Sequence, residues 1–165
     1  MIHSLLLLAA AATTPPAPQP LATARGAFFA LSVADVDATA AWYQEKLGLK
    51  VIMRPPAQGG VRMIALGGGG LLVELIEQEG SVPLRQAAPQ IDHDIKVHGM
   101  FKSGIVVDDW NGLLAGLKAR GVPIAIGPFP SSPEQRANLI IRDNEGNYIQ
   151  FFESRPAPSE GQAGN

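Results

Sequence analysis

FKSGIVVDDWNGLLAGLKARGVPI, residues Phe101 to Ile124, sets a β-branched run, a pair of aspartates, a helical stretch and a glycine in a fixed order. The same order has already passed once, in AFFALSVADVDATAAWYQEKLGLKVI from Ala27 to Ile52. Val33, Asp35 and Gly48 match Val106, Asp108 and Gly121 at one constant offset. Three further strand-like runs follow each copy: LKVIMRP, GVRMIALG and LLVELIEQ after the first, and GVPIAIGPF, RANLIIRD and NYIQFFE after the second. A strand, a helix and three strands, given twice, predict two tandem βαβββ modules. In the first helix Asp35 or Asp37 is placed to cap the N-terminus, with helical residues from about Ala38 to Leu47. Ala40, Ala41 and Leu47 share one face, Trp42 and Tyr43 stand at its edges, and Gly48 is the stop. The second helix is expected near Trp110 to Arg120. The glycine run Gly67 to Gly70 reads as a hairpin turn, because no helix opening on Lys-Ser/Thr follows to make it a phosphate loop.

The chain of 165 residues, 46% hydrophobic and 17% charged, carries enough apolar material for one core. A formal net charge of -2 leaves no basic surface for a phosphate backbone, so nucleic acid is not an expected partner. The absence of cysteine excludes disulfides, thiolate metal sites and a cysteine nucleophile. Imidazole is supplied by His3, His93 and His98 only.

At the N-terminus Ile2 to Ala12 form an apolar run too short to span a bilayer, followed by small residues and then Pro15, Pro16, Pro18 and Pro20. Residues 1–24 therefore read as a signal peptide and a Pro-rich spacer of extended backbone, with cleavage after Ala12 or near Ala22 and Ala24. The expected location is periplasmic or secreted, with no membrane span in the mature protein. The folded domain is expected over 27–153: module one at 27–78, a connecting loop at 79–100, module two at 101–153. Residues 154–165 are expected to be a disordered tail. The connecting loop mixes Pro83, Pro89, charge and two histidines without periodicity, and its length makes it a candidate lid. His93, flanked by Asp92 and Asp94, and His98 read as solvated loop residues more simply than as a metal site or a general base. Asp143, Asn144, Glu145 and Gly146 read as a hairpin turn more simply than as a calcium loop.

VADVDATAAWYQEKLGLKV, VVDDWNGLLAGLKARGVPI and RDNEGNYIQF resemble, in that order, three signatures of the vicinal oxygen chelate superfamily, which includes glyoxalase I, extradiol dioxygenases and bleomycin-resistance proteins. The resemblance covers Ala27 to Glu153. It implies an α+β fold in which two tandem βαβββ modules form a cupped mixed β-sheet with helices on the convex side. It also implies a divalent metal inside the cup, held by one residue on the first and last strand of each module. Carried over, those positions fall on Phe28, Glu74, Lys102 and Gln150. A hard dication needs carboxylate oxygen or neutral imidazole, and of the four only Glu74 is such a ligand. No metal and no cofactor are therefore expected.

Lys102 is expected instead to neutralise Glu74, with Gln150 beside them as a residue that keeps an amide oxygen and has lost the charge. The alternative is that Glu74 or Lys102 reaches the rim and is solvated. Phe28, Leu72, Tyr148 and Phe152 would line the same cup, because strand side chains alternate with a period of two. The resulting expectation is an exported, metal-independent small-molecule-binding protein, like the bleomycin-resistance branch. The alternative is a metal-dependent lyase, isomerase or dioxygenase of the same superfamily. Many members pair through their modules, which leaves a homodimer open.

Overall fold

The structure, a computed structural model, describes residues 27–133 and 135–154. The expected signal peptide and spacer, and the tail beyond Ser154, lie outside them; Ser154 itself is still tied to the sheet through its N–H, which donates to the Val107 carbonyl at 2.8 Å.

Module one runs β1 (Phe29–Ser32), α1 (Val36–Trp42), β2 (Lys50–Met53), β3 (Val61–Gly68) and β4 (Leu71–Gln78). Its sheet has the order β1-β4-β3-β2, with β1 parallel to β4 and the other pairs antiparallel. The connecting segment carries a single helical turn, α2 (Leu84–Ala87), and a tighter turn at Asp94–Lys96. Module two runs β5 (Lys102–Val107), α3 (Trp110–Ala119), β6 (Ile124–Phe129), β7 (Asn138–Arg142) and β8 (Tyr148–Glu153), in the order β5-β8-β7-β6. The α+β architecture of two tandem βαβββ modules is thus as expected, each module contributing its own four-stranded mixed sheet.

The repeat needs one adjustment. Asp35 caps α1 by accepting from the backbone N–H of Asp37 and Ala38 at 2.9 and 3.0 Å, whereas α3 is capped by Asp109, not Asp108, through the Gly112 N–H at 2.8 Å. Gly48 and Gly121 close the two helices, both at positive φ, 75° and 63°. Module one is therefore one residue longer between cap and stop. The extra residue is taken up by a widened π-type turn at Tyr43–Leu47, which continues α1. With the caps aligned, Val33 corresponds to Val107 and not to the exposed Val106.

Alternation along the strands sorts each sheet into two faces. Ile64, Leu66, Val73 and Leu75 of the first sheet and Leu139, Ile141, Ile149 and Phe151 of the second belong to one core, shared with Val36, Ala40 and Tyr43 of the first helix and Leu117 of α3. Ala41, expected on the buried face, is exposed, and Tyr43, expected at the edge, is fully buried, because the face that meets the core is Val36, Thr39, Ala40 and Tyr43, at the helical spacing i, i+3, i+4 and i+7.

The reason Tyr43 can be buried lies in the other module. Its hydroxyl donates to Asp143 Oδ2 at 3.0 Å, and Asp143, itself buried, also accepts from the N–H of Glu145 (3.0 Å), the N–H of Asn147 (2.8 Å) and the Asn147 side-chain amide (3.0 Å). The acid-rich turn is thus a hairpin whose aspartate is consumed by its own backbone and by α1. Beside it Thr39 donates to Glu145 at 3.2 Å and accepts from Asn144 at 2.9 Å. At the far ends of the helices Lys46 donates to the Arg120 carbonyl at 3.0 Å and Arg120 to the Lys46 carbonyl at 3.1 Å.

Two outcomes follow for Tyr43→Phe. Losing one donor to a buried carboxylate should cost about 1–3 kcal/mol in urea unfolding at pH 7. Burial first, and the adjacent Asp143 carboxylate second, push the Tyr43 pKa far above its ordinary value of 10.0. A raised pKa means that the stability held by the neutral phenol is whole below pH 10.0 and is lost as pH rises beyond it. The unfolding free energy of the wild type should therefore fall more steeply above that pH than that of Tyr43→Phe, and parallel pH profiles would contradict the assignment.

Candidate functional site

Each sheet turns its second face away from the shared core. On the first sheet this face carries Ala30, Met63, Ala65, Leu72 and Glu74; on the second it carries Lys102, Gly104, Ile140, Tyr148, Gln150 and Phe152. Phe28 stands just before β1 and is 61% exposed.

The seven residues expected to share a cup are therefore divided between two sheets. Glu74, half-buried, is level with Ala30 and Ala65 on the first, while Lys102, exposed at the start of β5, is level with Tyr148 on the second. No ion pair or hydrogen bond among the described residues joins Glu74 to Lys102 within one chain. The physical reason is that both charges can reach water at the open faces, so neither needs the other.

Gln150 behaves differently. It is buried, and its amide nitrogen donates to Asn138 Oδ1 at 3.0 Å, two residues along the neighbouring strand and on the same face. Asn138 passes the chain on by donating to the Arg136 carbonyl at 3.1 Å. No described buried polar side-chain atom lacks a partner, so the remaining Gln150 oxygen reaches the surface of the face. An amide is well suited here, being able to donate along the sheet and accept from above it without the desolvation cost of a carboxylate.

The metal that the fold family implies does not fit this donor set. Phe28 has no donor atom, Lys102 is a cation, the Gln150 amide is a weak neutral ligand, and among the described residues no three His, Asp or Glu side chains converge. His93 and His98 are both exposed. The His93 Nδ1 accepts from the Ile95 N–H at 3.2 Å, which organises the loop, and its ring lies 6.3 Å from that of Phe101.

What the structure does build is an open cavity of about 490 Å3 at the Tyr148 end of the second sheet's outer face. The end of β1 (Ser32 to Ala34), the β7–β8 turn and the connecting segment enclose it. The connecting segment contributes Val82, Leu84, Val97, Met100 and Phe101 as an apolar wall. Tyr148 forms the floor, with the Phe101 ring tilted against it at 5.4 Å. Arg142 lies over the Tyr148 ring, 4.3 Å from its centre, and donates to its hydroxyl. Sequence reasoning missed Arg85, Arg142 and Phe101. Only the alternation that places Arg142 opposite Tyr148 could have flagged one of them.

A smaller cleft, about 270 Å3, lies at the module junction between Gly48, Gly68 and Gly112 and is floored by Phe151. Its walls belong to the core packing of the two helices.

The profile of the Glyoxalase/Bleomycin resistance protein/Dioxygenase superfamily matches residues 25–151. No curated relative matches the sequence. Among solved structures, a glyoxylase/bleomycin resistance protein/dioxygenase domain from Frankia sp. EAN1pec is 20% identical, over 82% of this chain and 96% of that one, with a TM-score of 0.63. TnmS3, an antibiotic binding protein from Streptomyces sp. CB03234, is 20% identical over 82% of this chain and 99% of its own, with a TM-score of 0.59. A mutant of glyoxalase I from Zea mays is 24% identical over 78% of this chain and 45% of its own, with a TM-score of 0.57. At such identities the likeness to these structures is one of fold. The profile, spanning both modules, shows that this chain belongs to the Glyoxalase/Bleomycin resistance protein/Dioxygenase superfamily.

Proposed function

We propose that this protein is an exported, metal-independent small-molecule-binding protein built on the glyoxalase/bleomycin-resistance fold. The observation that carries the reading is the pairing of a poor metal donor set, one carboxylate among Phe28, Glu74, Lys102 and Gln150, with a cavity of about 490 Å3 beside Tyr148 and Arg142 at the end of the second sheet. That volume lies within the roughly 300–1,000 Å3 of small-molecule sites, with an apolar wall for affinity and Arg85, Arg142, Glu145 and Asn147 among the polar groups that could orient a ligand. The antibiotic-binding TnmS3 is a relative in fold whose described role is of this kind. Export rests on the sequence of residues 1–24.

The outer faces also bear on assembly. Val106 is 58% exposed, and the edge strands β2 and β6 expose Ile52, Met53, Ile126 and Phe129. Exposed apolar side chains on unpaired edges favour a partner, and a second copy of the chain would bring another pair of open faces against them. A homodimer is therefore part of the proposal.

Purified protein should contain no stoichiometric Ni, Zn, Fe or Mn, and EDTA should leave its thermal midpoint unchanged, since a metal bound only by the native state would raise it by mass action. Native mass spectrometry should show a dimer and reveal any retained small molecule. One tightly bound metal per chain would overturn the reading and favour a metal-dependent lyase, isomerase or dioxygenase. For export, a chain expressed from Met1 in a Gram-negative host should be recovered from the periplasm shortened at its N-terminus, whereas full-length protein confined to the cytosol would refute it.

A further inference from the structure

Two cations face the cavity beside Tyr148, and neither is neutralised by the protein. Arg85, from α2, and Arg142, from the end of β7, both line it, and neither belongs to any ion pair among the described residues. By contrast Arg54 and Arg62, in the same chain, are both matched to acids: Arg54 with Asp37 at 2.5 Å, and Arg62 with Asp37 and Glu77. The one carboxylate in the cavity wall, Glu145, is held by the Thr39 hydroxyl. The cavity therefore carries two guanidinium groups against a single acid.

Arg142 is also held in a particular pose. Its guanidinium carbon sits 4.3 Å from the centre of the Tyr148 ring, and one of its nitrogens donates to the Tyr148 hydroxyl. That contact fixes the plane of the fork and leaves its other N–H groups to bond an anion in two-point fashion, with little further loss of side-chain freedom. Tyr148 is itself buried beneath Arg142 and Phe101, while Phe101, Val82, Leu84, Val97 and Met100 supply apolar surface, Met100 with the adaptability of an unbranched thioether. From this arrangement we infer that the cavity selects small anionic ligands with an apolar or aromatic body, the acidic group bound by Arg85 and Arg142 and the body packed on Phe101 and the apolar side chains of the connecting segment. This inference rests on the small-molecule-binding reading and deepens it by naming the ligand class.

Two fluorescent probes that share the N-phenylnaphthylamine framework separate the possibilities: 8-anilinonaphthalene-1-sulfonate, which carries a sulfonate, and neutral N-phenyl-1-naphthylamine. Titrated into the purified protein, the sulfonate should bind saturably and about tenfold more tightly than the neutral probe, the difference expected for a charge-assisted contact. Its advantage should shrink as salt is raised. Arg142→Met and Arg85→Met should each weaken the sulfonate severalfold and leave the neutral probe within about twofold, while far-UV circular dichroism and thermal midpoint confirm that both variants are folded. Arg142→Lys, which keeps the charge and loses the planar fork, should fall between wild type and Arg142→Met. Equal affinity for the two probes, or equal losses for both in the arginine variants, would overturn the anion preference and leave small-molecule binding standing. Failure of both probes to bind saturably would overturn both readings.

Discussion

The Asp143 carboxylate is the point at which the two modules become one molecule. A buried carboxylate without donors is strongly unfavourable, so the four hydrogen bonds it accepts are a condition of its burial and not an ornament. Three come from its own turn and fix the β7–β8 hairpin. The fourth comes from Tyr43 of the other module and fixes α1 against that hairpin. With α1 so placed, the inner faces of both sheets close on one core, and the register of β8 is set from its first residue. Tyr148, Gln150 and Phe152 then face outward because Ile149 and Phe151 face inward.

The same constraint does not reach the four family ligand positions, because none of Phe28, Glu74, Lys102 and Gln150 belongs to the shared core. Of these, Gln150 is itself buried, while Phe28 and Lys102 are exposed and Glu74 is half-buried. Gln150 remains integrated through Asn138, whereas Glu74 and Lys102 reach solvent on different sheets. Nothing in the packing requires a carboxylate or imidazole at the outer positions. The apolar and cationic surface beside Tyr148 is likewise outside the core, built from a segment whose side chains are mostly exposed and whose backbone is organised only by local turns.

Helix α1 shows how closely local and global structure are coupled. Its N-terminus is tied to the sheet by Glu77, which accepts from the Val36 N–H at 2.9 Å while also holding Arg62. Arg54 and Arg62 in turn hold the Asp37 carboxyl below its ordinary range. At the other end the widened turn absorbs the extra residue of module one, starting from Tyr43, whose hydroxyl reaches Asp143. Both ends are therefore positioned by partners distant in sequence, although Asp35 and Gly48 alone mark where the helix starts and stops.

The sequence by itself determined the order of elements, because strand alternation, aspartate caps and glycine stops are local and each copy of the module carries its own. It also determined that the four family ligand positions make a poor metal site, since donor chemistry is a property of the residue type. It could not place Tyr43, whose burial depends on a carboxylate one hundred residues away, nor align the repeat to the residue, because a π-type turn hides an insertion inside an unbroken helix. Only the tertiary structure decided that Glu74 and Lys102 lie on separate sheets and that Arg85, Arg142, Phe101 and Tyr148 line one cavity. Those associations join segments with no shared local pattern, and they exist only once the core has fixed how the sheets and the connecting segment lie against one another.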